Sequence, residues 1–330
     1  MLRMKVYVTD RGGSLDTLRQ RVRDLEAMGV SGVLVSDHLF VAGGGPRREA
    51  RLPTEPLTTL AAIAALSERL HVGTIVSNVG LLHPALVLRQ FVNLAAMVGG
   101  ERVLAGLGAG WNREEFEALG MPMPSFQTRM QRLEEAAALA RQWFDTGLAN
   151  LEGEQVVARD LPMAPPASTP PRVLLGGGSD RILDIAGRHA DALDLNGTSS
   201  SGKVSGANLP QADLRRRLST TVADLERSVQ RVRQTARQAG RPADAVRLSV
   251  LIGHFQLCSN GEIADIELAI ASSAGLHGRD LRECPYVLTG EAEQVAEVLV
   301  ERRRRLELDA VILGGGVDPR PFCERVLPRL

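Results

Sequence analysis

Eight short apolar segments alternate with helical patterns along the chain, and this alternation limits the possible folds more than any other feature. Within each segment the apolar residues run continuously instead of alternating with polar ones. Strands of that kind are buried on both faces, as in parallel sheets that are covered by helices. The predicted strands are residues 6–9, 32–39, 71–78, 103–107, 173–175, 191–195, 247–255 and 308–313.

Eight strand–helix units within 330 residues predict an α/β fold, a (β/α)8 TIM barrel with loop insertions at its C-terminal face. A doubly wound open sheet is the alternative, and an all-helical fold is excluded. We expect a single domain over residues 1–330. Residues 147–171, which contain five prolines, interrupt the alternation and predict a long functional connection with a small hairpin at 150–158.

The composition limits the kinds of partner. The chain has 39 basic and 39 acidic residues, so no net positive charge attracts nucleic acid or an anionic membrane. No apolar stretch approaches the length of a membrane-spanning helix, which is about 20 residues. The three cysteines are scattered without metal-ligand spacing, which predicts a reducing compartment and no metal site. The start of the chain has no signal-peptide pattern, so we expect a cytoplasmic protein. We also expect it to act on a small molecule.

Function in such a barrel lies at the C-terminal ends of the strands, and one of these ends is rich in glycine. Gly106, Gly108 and Gly110 remove side chains there, so another group can approach the backbone closely. Trp111 follows, and Asn112 is a good cap for the next helix. This arrangement suits a flat anionic ligand, although a tight turn that binds nothing explains the same pattern.

The segments at the strand ends resemble the bacterial luciferase-like superfamily of flavin and deazaflavin oxidoreductases, and most closely its probable coenzyme F420-dependent subgroup. The resemblance extends over nearly the whole chain, in order and in spacing. The matching segments are Val35–Leu39, Val72–Ser77, His83–Pro84, Gly106–Trp111 with Glu115 and Gly120, Gly176–Ser179, Ala186–Ala192 and Leu288–Ala296. The resemblance implies an enzyme with F420 as cofactor, or FMN as the alternative, and often a homodimer.

The resemblance also implies where the cofactor ring would bind. Ile75 and Val76 would be joined by a cis peptide bond and would pack against the back of the ring. The residues expected to contact the ring are Asp37, Ile75, Val76, Asn78, Ala109, Gly110 and Trp111.

Two glycine-rich segments compete for the cofactor phosphate. Gly176, Gly177, Gly178 and Ser179 open a helix, whose first backbone N–H groups can bind an anion. Gly314–Gly316 is the competitor, because phosphate sites in such barrels often follow the last two strands. The placement in the superfamily and the hydroxyl of Ser179 favour the first segment.

His38 is the candidate catalytic residue, because an imidazole can donate or accept the proton that accompanies hydride transfer. Asp37 could orient it or contact the polar edge of the ring, and a purely structural histidine is the alternative. His254, at the end of the seventh strand, is a secondary candidate on the substrate side.

Two departures from relatives bear on the substrate. Trp111 stands where deazaflavin sugar-phosphate dehydrogenases have a carboxylate, which leaves the acid–base pair incomplete. Leu81 and Leu82 stand where relatives often have arginine. We therefore expect a neutral or apolar organic substrate that exchanges hydride with F420. The alternatives are an FMN-dependent monooxygenase that uses oxygen and a non-catalytic flavin-binding barrel.

Loops and arginine runs complete the expectations. Loops 40–55 and 197–213 could close over the site as lids. Arg215–Arg217 and Arg302–Arg305 lie on predicted helices and are expected to form solvated faces.

Overall fold

The structure, a computed structural model, describes residues 4–10, 12–40, 54–163, 168–196, 209–278 and 280–330. The strands are β1 (Lys5–Asp10), β2 (Gly32–Val35), β3 (His71–Thr74), β4 (Ser77–Asn78), β5 (Val103–Gly108), β6 (Leu148–Glu152), β7 (Val157–Pro162), β8 (Arg172–Gly177), β9 (Ala192–Leu195), β10 (Arg247–Ile252), β11 (His254–Leu257), β12 (Val287–Gly290) and β13 (Leu308–Leu313). The helices are α1 (Leu15–Ala27), α2 (Pro56–Leu66), α3 (Pro84–Val98), α4 (Arg113–Ala118), α5 (Phe126–Thr146), α6 (Asp180–His189), α7 (Leu209–Ser219), α8 (Val222–Gln238), α9 (Ile263–Ser273), α10 (Ala292–Leu306) and α11 (Pro319–Pro321).

Eight parallel strands close into a barrel. Their hydrogen-bonded order is β1, β2, β3, β5, β8, β9, β10 and β13, and β13 pairs again with β1. The short strand β4 continues β3 beyond the Ile75–Val76 peptide bond, which is cis, and also pairs with β5. The predicted TIM barrel is therefore confirmed, and the closed sheet rules out the doubly wound alternative.

The core has two layers, which explains the continuous apolar runs in the sequence. Because side chains alternate across a strand, one set faces the barrel interior and the other packs against the surrounding helices. The buried residues of the interior layer are Tyr7, Leu34, Leu104, Leu174, Ala310 and Ile312. Both layers must be apolar, so each strand lacks the polar alternation of a half-exposed sheet.

Several details differ from the sequence-based expectations. The helix expected near 218–239 is α8, which begins at Val222 because Thr221 forms a capping box with Asp224, and α7 precedes it as a separate helix. Strand β12 was not predicted, and it pairs in parallel with β11 outside the barrel. The predicted hairpin is present as the antiparallel pair β6 and β7.

The expectation of a solvated face was wrong for Arg302. This residue is only 5% exposed, and its guanidinium donates hydrogen bonds to the backbone carbonyls of Arg282 and Val287. The side chain therefore anchors the segment that leads into β12.

Candidate active site

The C-terminal ends of four neighbouring strands bring the predicted site residues to one side of the barrel mouth. These strands are β2, β3 with its continuation β4, β5 and β8. Asn78 lies opposite Gly108 in the β4–β5 pairing, and Gly176 and Gly177 end β8. The half of the rim that runs from β2 to β8 therefore contains every residue predicted to contact the cofactor.

His38 is held by a carboxylate. Its Nδ1 lies 3.0 Å from Oε1 of Glu115, and the same oxygen accepts a hydrogen bond from the backbone N–H of Leu39 at 2.9 Å. Glu115 is 1% exposed, whereas the side chain of His38 is 31% exposed. The buried carboxylate thus fixes an imidazole that still faces the mouth.

The free nitrogen of His38 is Nε2. Nδ1 is occupied by Glu115, and Nε2 has no hydrogen bond to any of the described residues. The edge of the imidazole meets the Trp111 ring in a T-shaped contact, with centroids 5.4 Å apart and planes at 73°. A carboxylate on Nδ1 favours the tautomer in which Nε2 is unprotonated and able to accept a proton.

The expectation that Asp37 orients His38 is corrected, because Glu115 does so. Instead, Oδ2 of Asp37 accepts a hydrogen bond from the backbone N–H of Asn78 at 3.1 Å. Burial raises the pKa of Asp37, and the hydrogen bond from Asn78 partly opposes this shift. The position of Trp111 still lacks a carboxylate, and the carboxylate that pairs with His38 is that of Glu115.

Glu115 was part of the matching segment, but its contact with His38 could not be read from the sequence. Asn112 caps α4 by accepting the N–H of Glu114 at 3.2 Å, and this start places Glu115 in the first helical turn. A glutamate in the first turn normally faces solvent and stabilises the helix dipole. Only its burial distinguishes Glu115 from such a glutamate, and burial depends on the tertiary fold.

The glycines at the end of β5 make room for the neighbouring strand. A Cβ at Gly108 would overlap the side chain of Val76, and one at Gly110 would overlap the side chain of Asn78. Gly110 also has φ +71°, a conformation that favours glycine. The close approach that the sequence predicted is therefore made by the protein's own β3–β4 segment.

Gly176 differs from those glycines. A Cβ at this position would meet only Cγ1 of Val76, at 3.5 Å, which is an ordinary van der Waals contact. The backbone at the end of β8 therefore has space beside it. Val76, Ala109 and Trp111 are partly exposed, as is Ile75 next to the cis bond.

The two candidate phosphate segments precede helices of different length. After Gly176–Gly178, Ser179 caps the ten-residue helix α6 by accepting the N–H of Ile182 at 3.4 Å. Gly314–Gly316 leads to an α-helix of only three residues, α11, which continues as a π-helix over Phe322–Val326 and a 3₁₀ turn over Leu327–Arg329. Because the N–H groups of a longer helix align with its dipole, the geometry favours α6 as an anion-binding element.

Two arginines of α5 hold the loops that carry the site, and the sequence analysis missed them. Arg129 donates to the carbonyl of Gly110 and is 3% exposed. Arg132 donates through Nε to Val79 at 2.7 Å and through Nη2 to Leu82 at 3.1 Å. The two arginines are three residues apart on one helix, a spacing that in a sequence usually indicates a solvent-exposed face.

The other side of the mouth contains a second group of polar residues. Asp194 of β9 is completely buried, and it accepts hydrogen bonds from Ser249 at 3.4 Å and Asn196 at 3.2 Å. Burial raises the pKa of Asp194 to about 7, and the positive charge of Arg217 only partly offsets this effect.

Arg217 was expected on a solvated face, and this expectation was wrong. Its guanidinium lies 4.8 Å from the centre of the Tyr286 ring and donates to the carbonyl of Leu251. His254 is half-buried nearby, and burial and the charge of Arg217 lower its pKa.

The predicted lid loops 40–55 and 197–213 lie mostly outside the described residues.

Within the described part of the chain, no helix combines the length and the apolar character needed to cross a membrane.

The chain is similar in sequence to known enzymes of two kinds. The chain is 27% identical over 180 residues to an F420-dependent glucose-6-phosphate dehydrogenase of Amycolatopsis mediterranei, covering 54% of this chain and 52% of that protein. It is 29% identical over 140 residues to the pyrimidine monooxygenase RutA of an Enterobacter species, covering 42% of this chain and 38% of that protein. The chain thus spans about half the length, or less, of these relatives.

A solved structure of similar fold is that of riboflavin lyase RcaE with modified FMN and the substrate riboflavin. It has a TM-score of 0.74 at 16% identity and covers 99% of this chain and 91% of that one. Residues 3–212 match the luciferase-like monooxygenase family. This match covers well over half of the sequence, so the chain belongs to the luciferase-like monooxygenase family.

Proposed function

We propose that this protein is an oxidoreductase that transfers hydride between coenzyme F420 and a small, uncharged organic substrate. The observation that carries the proposal is the His38–Glu115 pair at the barrel mouth, with Nε2 of His38 beside Trp111 and without a hydrogen bond to any described residue. An imidazole held in this way is suited to general acid–base chemistry. We also propose that the chain acts as one domain, because its barrel strands come from residues 5 to 313.

The described residues fit a tricyclic ring with a phosphate-bearing tail. Ile75 and Val76 present partly exposed apolar groups at the rim, and Gly176, which has space beside it, lies three residues before the α6 cap Ser179. Residues that would hold the ring are Asp37, Ile75, Val76, Asn78, Ala109, Gly110 and Trp111. Those that would hold the phosphate are Gly176, Gly177, Gly178 and Ser179. A bound deazaflavin supplies hydride chemistry.

The protein's own contribution is proton transfer at Nε2 of His38. When a substrate hydroxyl is oxidised, Nε2 accepts its proton, and in the reverse direction it donates the proton to the new alkoxide. Glu115 lies 3.0 Å from Nδ1, so its carboxylate stabilises the positive charge of the imidazolium. The hydrogen bond from the N–H of Leu39 keeps that carboxylate in place.

The exposed side chains near the site favour an uncharged substrate. Leu39 follows His38 and is 43% exposed, and Leu82, in the loop after β4, is 49% exposed. Exposed leucines beside a ligand site contribute apolar contacts and give no charge to pair with a phosphate. Trp111 stands where deazaflavin sugar-phosphate dehydrogenases have a carboxylate, and it likewise gives the site no charge at this position.

A cofactor titration tests the proposal. Purified protein is titrated separately with F420 and FMN, and each binding constant is measured by fluorescence. We expect F420 to bind more tightly and its reduced form to be oxidised when ketones are added without oxygen. Preferential binding of FMN, with oxygen uptake in its reduced state, would instead support a monooxygenase. If neither cofactor binds at micromolar concentrations, the barrel is non-catalytic.

A further inference from the structure

Two buried donor atoms in the second half of the mouth have no acceptor. Tyr286 is 0% exposed, and its Oη forms no hydrogen bond with the described residues. Nε of Arg217 is likewise buried without a partner in the described part of the chain. The guanidinium lies over the Tyr286 ring, so the two atoms belong to one cluster. Buried polar groups are nearly always paired, because they have lost their hydrogen bonds to water.

We propose that Arg217 and Tyr286 form a subsite for the carbonyl oxygen of an uncharged substrate. This inference rests on the proposed function and identifies the substrate class. The N–H of Arg217 and the O–H of Tyr286 are both donors, and one carbonyl oxygen has two lone pairs to accept them. A bound carbonyl would thus give both unpaired donors an acceptor.

The position of the cluster assigns it to the substrate. Arg217 contacts the barrel through the carbonyl of Leu251 on β10, and Asp194 lies on the neighbouring β9, which is four strands from β2 in either direction around the barrel. His38 follows β2, and the proposed phosphate site is at the start of α6. The cluster therefore lies across the mouth from His38, where the part of a substrate away from the reacting atoms would be located.

The charges of the cluster favour an uncharged ligand. The guanidinium of Arg217 is the largest charged influence on the buried carboxyl of Asp194. With a pKa of about 7, Asp194 retains part of its negative charge at neutral pH. A carboxylate ligand could pair with Arg217 but would bring a second acidic group close to Asp194, whereas a cationic ligand would face Arg217. A ketone or carboxamide avoids both unfavourable contacts.

At Gly253 no side chain covers the guanidinium of Arg217. A Cβ at Gly253 would lie 3.7 Å from the guanidinium carbon, which is ordinary van der Waals distance. Arg217 and His254 are both half-buried, so this part of the cluster is not sealed from solvent.

The two tyrosines of the chain provide a matched pair of variants. Tyr286→Phe removes the unpaired hydroxyl and keeps the ring under Arg217. Tyr7→Phe removes a buried hydroxyl that is already paired, 3.0 Å from Nδ1 of His71 where β3 begins. We expect Tyr7→Phe to lower the unfolding midpoint in urea and Tyr286→Phe to leave it unchanged or to raise it. This measurement needs no cofactor, so it remains valid if the proposed function fails.

Binding of three probes of similar shape tests the ligand class. Cyclohexanone, methylenecyclohexane and cyclohexanecarboxylate are titrated by calorimetry into the F420-loaded and cofactor-free forms of the wild type and both variants. We expect the wild type to bind cyclohexanone at least tenfold more tightly than methylenecyclohexane. Tyr286→Phe should abolish this preference, whereas Tyr7→Phe should retain it.

Several results would overturn the subsite. These are equal or undetectable binding of the probes by the wild type, tighter binding of the carboxylate, and an unchanged ketone preference in Tyr286→Phe. Weaker F420 binding by Tyr286→Phe would also overturn it, since the cluster would then contact the cofactor. Failure of F420 to bind to any form, with the ketone preference intact, would instead contradict the proposed function alone.

Discussion

Two groups of side chains at the barrel mouth differ in how they are paired, although Nδ2 of Asn112, in the first half, is also buried without a partner among the described residues. In the half from β2 to β8, Glu115 pairs with His38, and the backbone of Asn78 pairs with Asp37. In the half around β9 and β12, Arg217 and Tyr286 leave buried donors without partners among the described residues. A satisfied network holds its side chains in one geometry, as proton transfer requires. Unpaired buried donors retain the capacity to bind an external group that reaches them.

The largest effect on activity is expected for the His38–Glu115 pair. His38→Ala should lower kcat by about 10²- to 10⁴-fold, the usual contribution of a general acid–base residue. The F420 dissociation constant should change little, because the imidazole acts on the substrate proton. Steady-state kinetics and F420 titration would measure the two quantities. His277→Ala, at an exposed loop residue, is the matched control. An active His38→Ala variant would show that the pair is structural.

The second prediction concerns the pH dependence of stability in the other half. Asp194 has a pKa of about 7 in the folded protein, compared with 3.8 for the ordinary side chain. Between these values the folded state holds a proton that the unfolded state has lost. Its contribution to stability is therefore complete below about pH 4 and is lost as the pH rises to about 7.

Asp194→Asn removes this titration. From pH 5 to pH 7 the wild type should lose up to about 3 kcal/mol of unfolding free energy through this group, at about 1.4 kcal/mol per pH unit. The variant should therefore gain stability relative to the wild type at pH 8 compared with pH 5. Urea unfolding at both pH values measures this difference. The same difference between variant and wild type at both values would contradict the prediction.

The third prediction separates the two roles of Glu115. Glu115→Gln keeps an oxygen to accept the N–H of Leu39 but removes the charge beside His38, so we expect kcat to fall by about tenfold with little change in stability. Glu115→Ala also leaves that N–H unpaired, and it should lower the unfolding free energy by about 1–3 kcal/mol. ¹⁵N NMR of His38 would report whether Nδ1 still carries the proton. An unchanged tautomer and kcat in Glu115→Gln would refute the role.

The barrel could be predicted from the sequence because its signal is local. Continuous apolar runs mark each strand, and glycine and polar residues mark the strand ends, so His38 and Trp111 were expected at the mouth, where they lie. The His38–Glu115 contact joins residues 77 positions apart, and no periodicity reports such a pair. Arg217 was misjudged for a related reason. A run of arginines on a helix does not indicate which member turns inward, because that depends on the neighbouring β10 and β12 segments.

The smallest expected effects come from two glycines at the rim. Gly110→Ala places a methyl group against Asn78 at φ +71°, and it should lower the unfolding free energy by about 1–2 kcal/mol. Gly176→Ala meets only Val76 at 3.5 Å, so it should leave stability within about 0.5 kcal/mol of the wild type.

If the cofactor tail lies beside Gly176, the added methyl group should weaken F420 binding several-fold while the protein remains fully folded. Urea unfolding and F420 titration of both variants would separate these effects. Unchanged F420 affinity in Gly176→Ala would move the proposed phosphate contact away from the end of β8. The segment after β13 would then become the stronger candidate. Because the two glycines lie on neighbouring barrel strands, the pair distinguishes space that the fold needs from space that a ligand needs.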